Sequence, residues 1–549
     1  MSAWLSHPDR TRAVLTEPGP DGRIGFATID SRGRQSSPAW LAAAAGWTPC
    51  CWAADDVVVL WRRVDGHSEL GLLRANGKLA SDPVLGRPFA ADGDELLVAV
   101  NGPDGTILCR HQAGTDDYQV LDATAGVRSV AGWDPRSGRL VVTTTESTVR
   151  VVAYDSDGCA ELPVDWPPGV RPVHAVGHGR LLGLTGADDD GATVPGVLDL
   201  PTLAVRWFPE HAGWSCTDIA AGGTALLLAD WRDHAYRYRA TTVDGHVIGA
   251  VAPVNGLATD LRFAVDQTHV FGRFQSPARK PVITSWDLRT GAAQSSTSAN
   301  GNGMRWRHRE IDGVPEWLFE PQRDAHGGVV VYLHGGPRSR LNQVHEPVIA
   351  TLVAAGWTVI GMNYPGSTGY GDAYGDVTIG DWGGADVAAV TARIRALRAD
   401  MSPVCLYGIS YGGYLALLAA ADADAVAVWA PVTDLALLVE STTGVRRQWL
   451  AGELAGMLAA PRLLAERSPA AHPTRLRRVP LLVGHAVGDD RVPVAQSRRL
   501  VDVLATTPTL RYLEDGWGTH APSNWQWWAD SVATHLRSAT TSQVGKQAS

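Results

Sequence analysis

Through its first 300 residues the chain alternates short apolar runs with polar, glycine-bearing breaks, and almost no stretch repeats with the period of a helix. Val57-Val58-Val59-Leu60-Trp61, Leu96-Leu97-Val98-Ala99-Val100 and Ala225-Leu226-Leu227-Leu228-Ala229 are typical of the runs. Strand candidates begin near Ile24, Val57, Leu96, Leu140, Leu181, Ala225 and Val270. Their spacing of roughly 40 residues is that of a four-stranded blade in a radial repeat. Asp65-Gly66, Asp104-Gly105, Ser137-Gly138, Asp157-Gly158 and Asp244-Gly245 lie between strands, where hairpins call for positive φ. The repeat is degenerate at the level of residues, and a pair of β-sandwiches would produce similar strands. The even spacing favours a β-propeller of about seven blades over residues 1–304.

The pattern changes after about residue 305. From Gly328 onward, β-branched runs alternate with Ala/Leu-rich amphipathic stretches, as in a parallel sheet with crossover helices. The spacing predicts strands at 329–333, 358–362, 404–407, 425–429, 481–483 and 510–513. It predicts helices over 386–398, 411–421 and 524–536, and a catalytic domain over 305–538 followed by a frayed tail at 539–549.

Composition narrows the classes. A chain of 549 residues is too long for one core, and its charged fraction is that of a folded protein. A net charge of −9 without a basic stripe argues against a nucleic-acid partner. No apolar window is long enough for a signal-peptide core or a membrane span. Six cysteines without C-x-x-C spacing read as reduced thiols, with Cys50 and Cys51 in or beside a strand, and the expected location is the cytoplasm. No metal-ligand spacing is present, and no cofactor is expected. Oligomeric state stays open, with a homo-oligomer allowed.

The chemistry concentrates at Gly408-Ile409-Ser410-Tyr411-Gly412-Gly413, between a predicted strand and a predicted helix. A G-x-S-x-G run there forms a turn that lifts the serine hydroxyl clear of the sheet, and it needs small residues two before and two after for clearance. Ser410 is the expected nucleophile of an α/β-hydrolase fold. His334-Gly335-Gly336-Pro337 follows the run 329–333, where an oxyanion loop belongs, so the backbone N–H groups of Gly335 and Tyr411 are the expected oxyanion donors. His334 reads as structural, because such loops work through backbone amides.

The stretch from Ile311 to Leu536 resembles the prolyl oligopeptidase family of serine peptidases, particularly its acylaminoacyl-peptidase-like branch. The resemblance rests on Ile311-Asp312-Gly313 with Trp317-Leu318-Phe319-Glu320-Pro321, on His334-Gly335-Gly336-Pro337, and on Asn363 through Gly371. The elbow with Tyr411-Gly412-Gly413-Tyr414 and Gly488-Asp489-Asp490-Arg491-Val492-Pro493 complete it. Pro365 departs from it, since the family usually has arginine there. The resemblance implies a propeller ahead of an α/β-hydrolase domain and short peptide substrates. It makes Asp489, rather than Asp490, the acid, and sets Arg491 where some relatives contact the substrate carbonyl; a surface ion pair is the competing role.

The histidine is the larger departure. The family's base sits in a Gly-His-Gly segment after the last strand, whereas here Glu514-Asp515-Gly516-Trp517-Gly518 puts tryptophan in its place. Indole has no lone pair to accept a proton. Either His520, three residues on, reaches the site through a re-formed loop, with Trp517 lining the substrate pocket, or the domain is a decayed hydrolase serving as a scaffold. The intact elbow, oxyanion loop and acid favour His520; His485 and His535 read as structural. The adjacent Glu-Glu pair with which dipeptidyl-peptidases of the family hold a free amine is absent. Trp429, Trp517, Trp525, Trp527 and Trp528 form either an aromatic pocket or the packing of the last helix. The expected activity is hydrolysis of amide bonds in short peptides or peptide-like small molecules, with acyl transfer or cyclisation through the same serine as the alternative.

Overall fold

The computed structural model describes residues 4–547 apart from short connecting stretches, nearly all of them between strands of the first 303 residues, together with 323–327. In parts of several strands, at 444–445 and beyond 541, it describes the backbone alone. The chain divides into two compact units, Met1–Gln275 with Pro281–Ser298, and Ser276–Lys280 with Ala299–Ser549.

The first unit is a β-propeller. Its strands from Trp4–Ser6 to Ala293–Ser295 form seven four-stranded sheets, each a meander of consecutive strands. Six of the apolar runs picked out from Val57 onward form the second strand of their sheets: Val57–Val64, Glu95–Gly102, Arg139–Thr144, Leu181–Asp188, Ala225–Arg232 and His269–Ser276. These strands are paired on both edges and covered on both faces. Leu96 to Val98, Leu140 to Val142 and Leu226 to Leu228 are accordingly fully buried. Ile24 instead belongs to a third strand, Arg23–Thr28.

The first and last sheets pack on one another through Ala13, Ile29, Ala264, Phe271 and Ile283. Arg10 reaches across to the carbonyl of Phe263 (3.0 Å), the carbonyl of Ile219 and the buried carboxylate of Asp218 (3.0 Å). Among the expected turns, Gly138 and Gly245 take φ of +62° and +88°. Asp65-Gly66, Asp104, Ser137 and Asp157-Gly158 lie outside the described residues.

The second unit is built on eight strands: β1 (Met304–Ile311), β2 (Val314–Pro321), β3 (Val329–Leu333), β4 (Thr358–Met362), β5 (Val404–Ile409), β6 (Ala425–Trp429), β7 (Leu481–Ala486) and β8 (Leu510–Asp515). Their order in the sheet is β1-β2-β4-β3-β5-β6-β7-β8. β1 and β2 pair antiparallel, β2 runs antiparallel to β4, and the ladders from β4 to β8 are parallel. This is the α/β-hydrolase sheet.

The helices that concern the site are α1 (Pro347–Ala354), α2 (Ala385–Leu397), α3 (Tyr411–Leu418), α4 (Gly444–Leu454), α5 (Ala495–Val503) and α6 (Trp525–Gln547). Alternate residues of the central strands serve two cores. Val331, Leu406, Val428 and Val483 pack with α2, α3 and α5, while Tyr332, Tyr407, Trp429 and Leu482 pack with α1 and α6. Burial on both faces is why these strands read as unbroken apolar runs. The frayed tail expected from 539 is not found: α6 continues to Gln547. Ser, Thr and Gln propagate a helix already begun by packing Trp528, Val532 and Leu536 on the sheet. Among the described residues no helix is long and apolar enough to cross a membrane.

Candidate active site

The nucleophile elbow forms as its glycines require. Ser410, between β5 and α3, holds φ +56° and ψ −119°, a backbone state costly for a residue with a side chain. A Cβ at Gly408 would lie 2.1 Å from the carbonyl oxygen of Gly412, and one at Gly412 would lie 2.1 Å from that of Leu333. No larger residue fits at either place. The Ser410 N–H donates to the carbonyl of Trp429 at 2.8 Å, fixing the turn to the end of β6.

Facing the serine is the loop after β3. A Cβ on Gly335 would stand 3.4 Å from Ser410 Cβ, so this loop passes directly over the nucleophile. The amides of Gly335 and of Tyr411, the first residue of α3, find no acceptor among the described residues. Both are the donors anticipated for an oxyanion. His334 holds the loop in place: its ring stacks on Tyr364 (4.4 Å) and hydrogen-bonds the carbonyl of Gly335 (2.7 Å) and Ser367 Oγ (2.9 Å). Burial pushes its pKa down to about 4, so it is neutral at pH 7 and acts structurally. Beneath the elbow, the Tyr411 hydroxyl donates to the buried carboxylate of Asp386 at 2.5 Å.

The candidate acid follows β7. Asp489 Oδ1 accepts the backbone N–H groups of Arg491 (2.8 Å) and Val492 (3.0 Å). Its Oδ2 lies 2.8 Å from His520 Nδ1. Burial alone would favour the neutral acid, yet hydrogen bonds from His485 and His520 and the N–H of Val492 hold its pKa well below the usual range. Asp490 points elsewhere: it is half-exposed, and Arg446 of α4 engages its carbonyl and, at 3.7 Å, its carboxylate. The Arg491 side chain is exposed and makes no ion pair among the described residues.

The loop after β8 brings His520 to the acid, and Asp515 shapes that loop. Its Oδ1 accepts from the N–H groups of Trp517 (2.9 Å) and Gly518 (3.1 Å) and from Ser523 Oγ (3.0 Å), and its Oδ2 accepts the Ser523 N–H (2.6 Å). Four bonds to one carboxylate gather residues 517–523 into a tight bend. Trp517 sits at its outer side, 75% exposed, so the indole does not occupy an imidazole's place. Because His520 Nδ1–H is committed to Asp489, Nε2 is the nitrogen left with a lone pair. No hydrogen bond joins it to Ser410 Oγ in this structure.

Three residues were not read from the sequence in the places they hold at the site. His485 is fully buried behind the acid, with Nε2 2.8 Å from the carbonyl of Val492 and 3.2 Å from Asp489 Oδ2, and Nδ1 2.7 Å from Ser497 Oγ. It is structural as expected, but its structure is that of the acid's own seat. The spacing His485-x-x-x-Asp489 at a strand end was the available signal. Asp515 and Trp429 carried no signal beyond their place at strand ends. Of the tryptophans weighed as a pocket, Trp429 and Trp528 are fully buried and pack α6 against the sheet.

Residues 343–513 match the model of the prolyl oligopeptidase family. Over this segment the chain is similar to the prolyl oligopeptidase family. The match takes in Ser410 and Asp489 and ends before the loop that carries His520. The chain is similar to dipeptidyl aminopeptidase BIII of Pseudoxanthomonas mexicana, with 26% identity over 280 residues, 48% of this chain and 40% of that protein. It is 28% identical over 209 residues to acylamino-acid-releasing enzyme 2 of Oryza sativa, 34% of this chain and 27% of that one. The chain thus matches less than half the length of these curated relatives, and the two carry similar identity despite different names. A puromycin-hydrolyzing peptidase of Mycobacterium tuberculosis shares the fold, with a TM-score of 0.73 at 20% identity over 95% of this chain and 91% of that one.

Proposed function

We propose that the chain is a serine hydrolase that cleaves amide bonds of short peptides or peptide-like small molecules through an acyl-enzyme on Ser410. The observation that carries the reading is the 2.8 Å contact between His520 Nδ1 and Asp489, because it supplies the base that the sequence motif lacks. His520 Nε2 takes the proton of Ser410 as Oγ attacks the substrate carbonyl, and Asp489 stabilises the imidazolium without itself taking the proton. The amides of Gly335 and Tyr411 bind the oxyanion, with each donor worth about 3–4 kcal/mol in comparable hydrolases. His520 returns the proton to the amine nitrogen as the C–N bond breaks. Water, deprotonated by the same ring, then releases the acid. In substrate-free hydrolases the bond between base and nucleophile is often long and tightens when substrate binds.

Amide-cleaving relatives support the substrate class. The five described cysteines, none of them in a disulfide, support a cytoplasmic location. The test is labelling with a fluorophosphonate, mapped by mass spectrometry, beside turnover of aminoacyl, acetyl-aminoacyl and dipeptidyl anilides. An adduct on Ser410 and release from at least one anilide are expected. Folded protein that takes no label at Ser410 would sink the proposal.

A further inference from the structure

A histidine displaced by three residues from its family position needs support that the family pattern does not provide. Asp515 gathers the loop but touches only its flanks, residues 517, 518 and 523. The bond to the histidine's own backbone comes from Trp429, the last residue of β6, whose indole Nε1–H donates to the carbonyl of His520 at 3.1 Å. The carbonyl of the same residue accepts the N–H of Ser410 at 2.8 Å. One residue therefore grips the nucleophile by its main chain and the base by its side chain.

The indole has little freedom to turn. It is fully buried and meets Trp528 edge to face at 4.8 Å. Across from both rings stands Gly484, where a Cβ would come within 2.6 Å of Trp429 and 2.5 Å of Trp528. With the ring wedged, the direction of its N–H is set by the sheet rather than by the loop. We propose that Trp429 is a positioning residue that fixes the height of His520 over Ser410, transmitting the rigidity of β6 to the relocated histidine. This rests on the reading of His520 as base. The bond meets the backbone carbonyl and leaves the imidazole untouched, so it acts on where the ring stands.

Trp429→Phe keeps an aromatic ring and the main-chain bond to Ser410 while deleting the indole N–H, and the cavity left by the lost fused ring weakens the fold equally with His520 and without it. A misplaced base lowers turnover and not binding, so kcat should fall about tenfold with KM unchanged. In a His520→Ala background the same change should cost nothing further, since Trp429 acts through His520. A general structural role would lower both backgrounds alike, and that result overturns the proposal. So does a single variant within twofold of wild-type kcat while His520→Ala is severely impaired. If His520→Ala itself retains activity, the base assignment has failed, and that failure is visible without Trp429. Should Trp429→Phe not melt cooperatively, the native protein labelled with 15N-tryptophan decides. A slowly exchanging Trp429 indole proton that shifts when Ser410 is phosphonylated supports the link, and a freely exchanging one refutes it.

Discussion

In the proposed mechanism the elbow around Ser410 and the loop around His520 serve one reaction, and they are specified in opposite ways. At the elbow, backbone atoms crowd Gly408 and Gly412 to distances no side chain tolerates, so the residue types are dictated and the motif stays readable. At the histidine loop, the chemistry requires only that an imidazole arrive beside Asp489. How many residues the loop spends on the way is free, provided something holds the bend. Here Asp515 and Trp429 hold it, and the histidine has moved. Motifs persist where sterics over-determine the backbone and drift where only an endpoint matters.

The sharpest way to break this comparison is to remove the endpoint. His520→Ala and Asp489→Ala should each reduce kcat by about 10⁴ or more in steady-state assays. Asp490→Ala, next door but turned toward Arg446, should stay within about twofold by the same measurement. Comparable losses at Asp489 and Asp490 would show the acid to be misassigned.

A middle-sized effect is expected from loosening the bend while leaving the imidazole in place. Asp515→Asn offers one oxygen where a carboxylate receives four donors. Buried N–H groups left unpaired cost about 1–3 kcal/mol each. We expect kcat to drop by ten- to hundredfold and the melting temperature to fall by about 5 °C, while fluorophosphonate still reacts, slowly, at Ser410. Unaltered kinetics would mean that the loop holds its shape without this carboxylate.

The smallest effect concerns the rigid side. His334 has a pKa near 4 in the fold against an ordinary 6.5, so the unfolded chain binds a proton that the native state excludes as pH falls between these values. Stability from this group therefore declines on acidification, by about 3 kcal/mol once pH reaches the lower value. His334→Gln should shrink the difference between urea midpoints at pH 7 and pH 4.5. An unchanged difference would remove the claim that His334 is held neutral.

How far the sequence spoke follows the same physics. The catalytic strands were legible because burial on both faces makes them continuous apolar runs, and the propeller because each second strand, Leu96 to Val98 for example, is enclosed on every side. In the first sheet the run that stood out was the third strand, since Arg12–Thr16, flanked by polar residues, offers a weaker contrast. Asp489 was singled out by its motif, and it is the carboxylate that lies beside His520. Its dependence on His485 was not, because a buried histidine at a strand end has the same sequence signature whether it seats an acid or fills a core. Trp429 was hidden more deeply, among five tryptophans whose composition suggested a pocket; it and Trp528 are fully buried in packing, whereas Trp517 and Trp527 are exposed. The helical course of 539–547 was missed because local propensity yielded to a helix already anchored by Trp528 and Leu536.

The ring of seven sheets has a mechanical consequence. Every sheet consists of consecutive strands, so no strand from the chain's start is stitched into its final sheet. Among the described residues the circle is shut by an apolar cluster, by Arg10 on the carbonyl of Phe263, and by bonds from the Asp266 N–H to the carbonyl of Ser31 (3.0 Å) and from the Ser285 hydroxyl to the carbonyl of Arg32. Parting the first sheet from the last would tear no strand ladder, whereas the main chain itself joins every other neighbouring pair. If the ring yields under load, it should yield at that seam first.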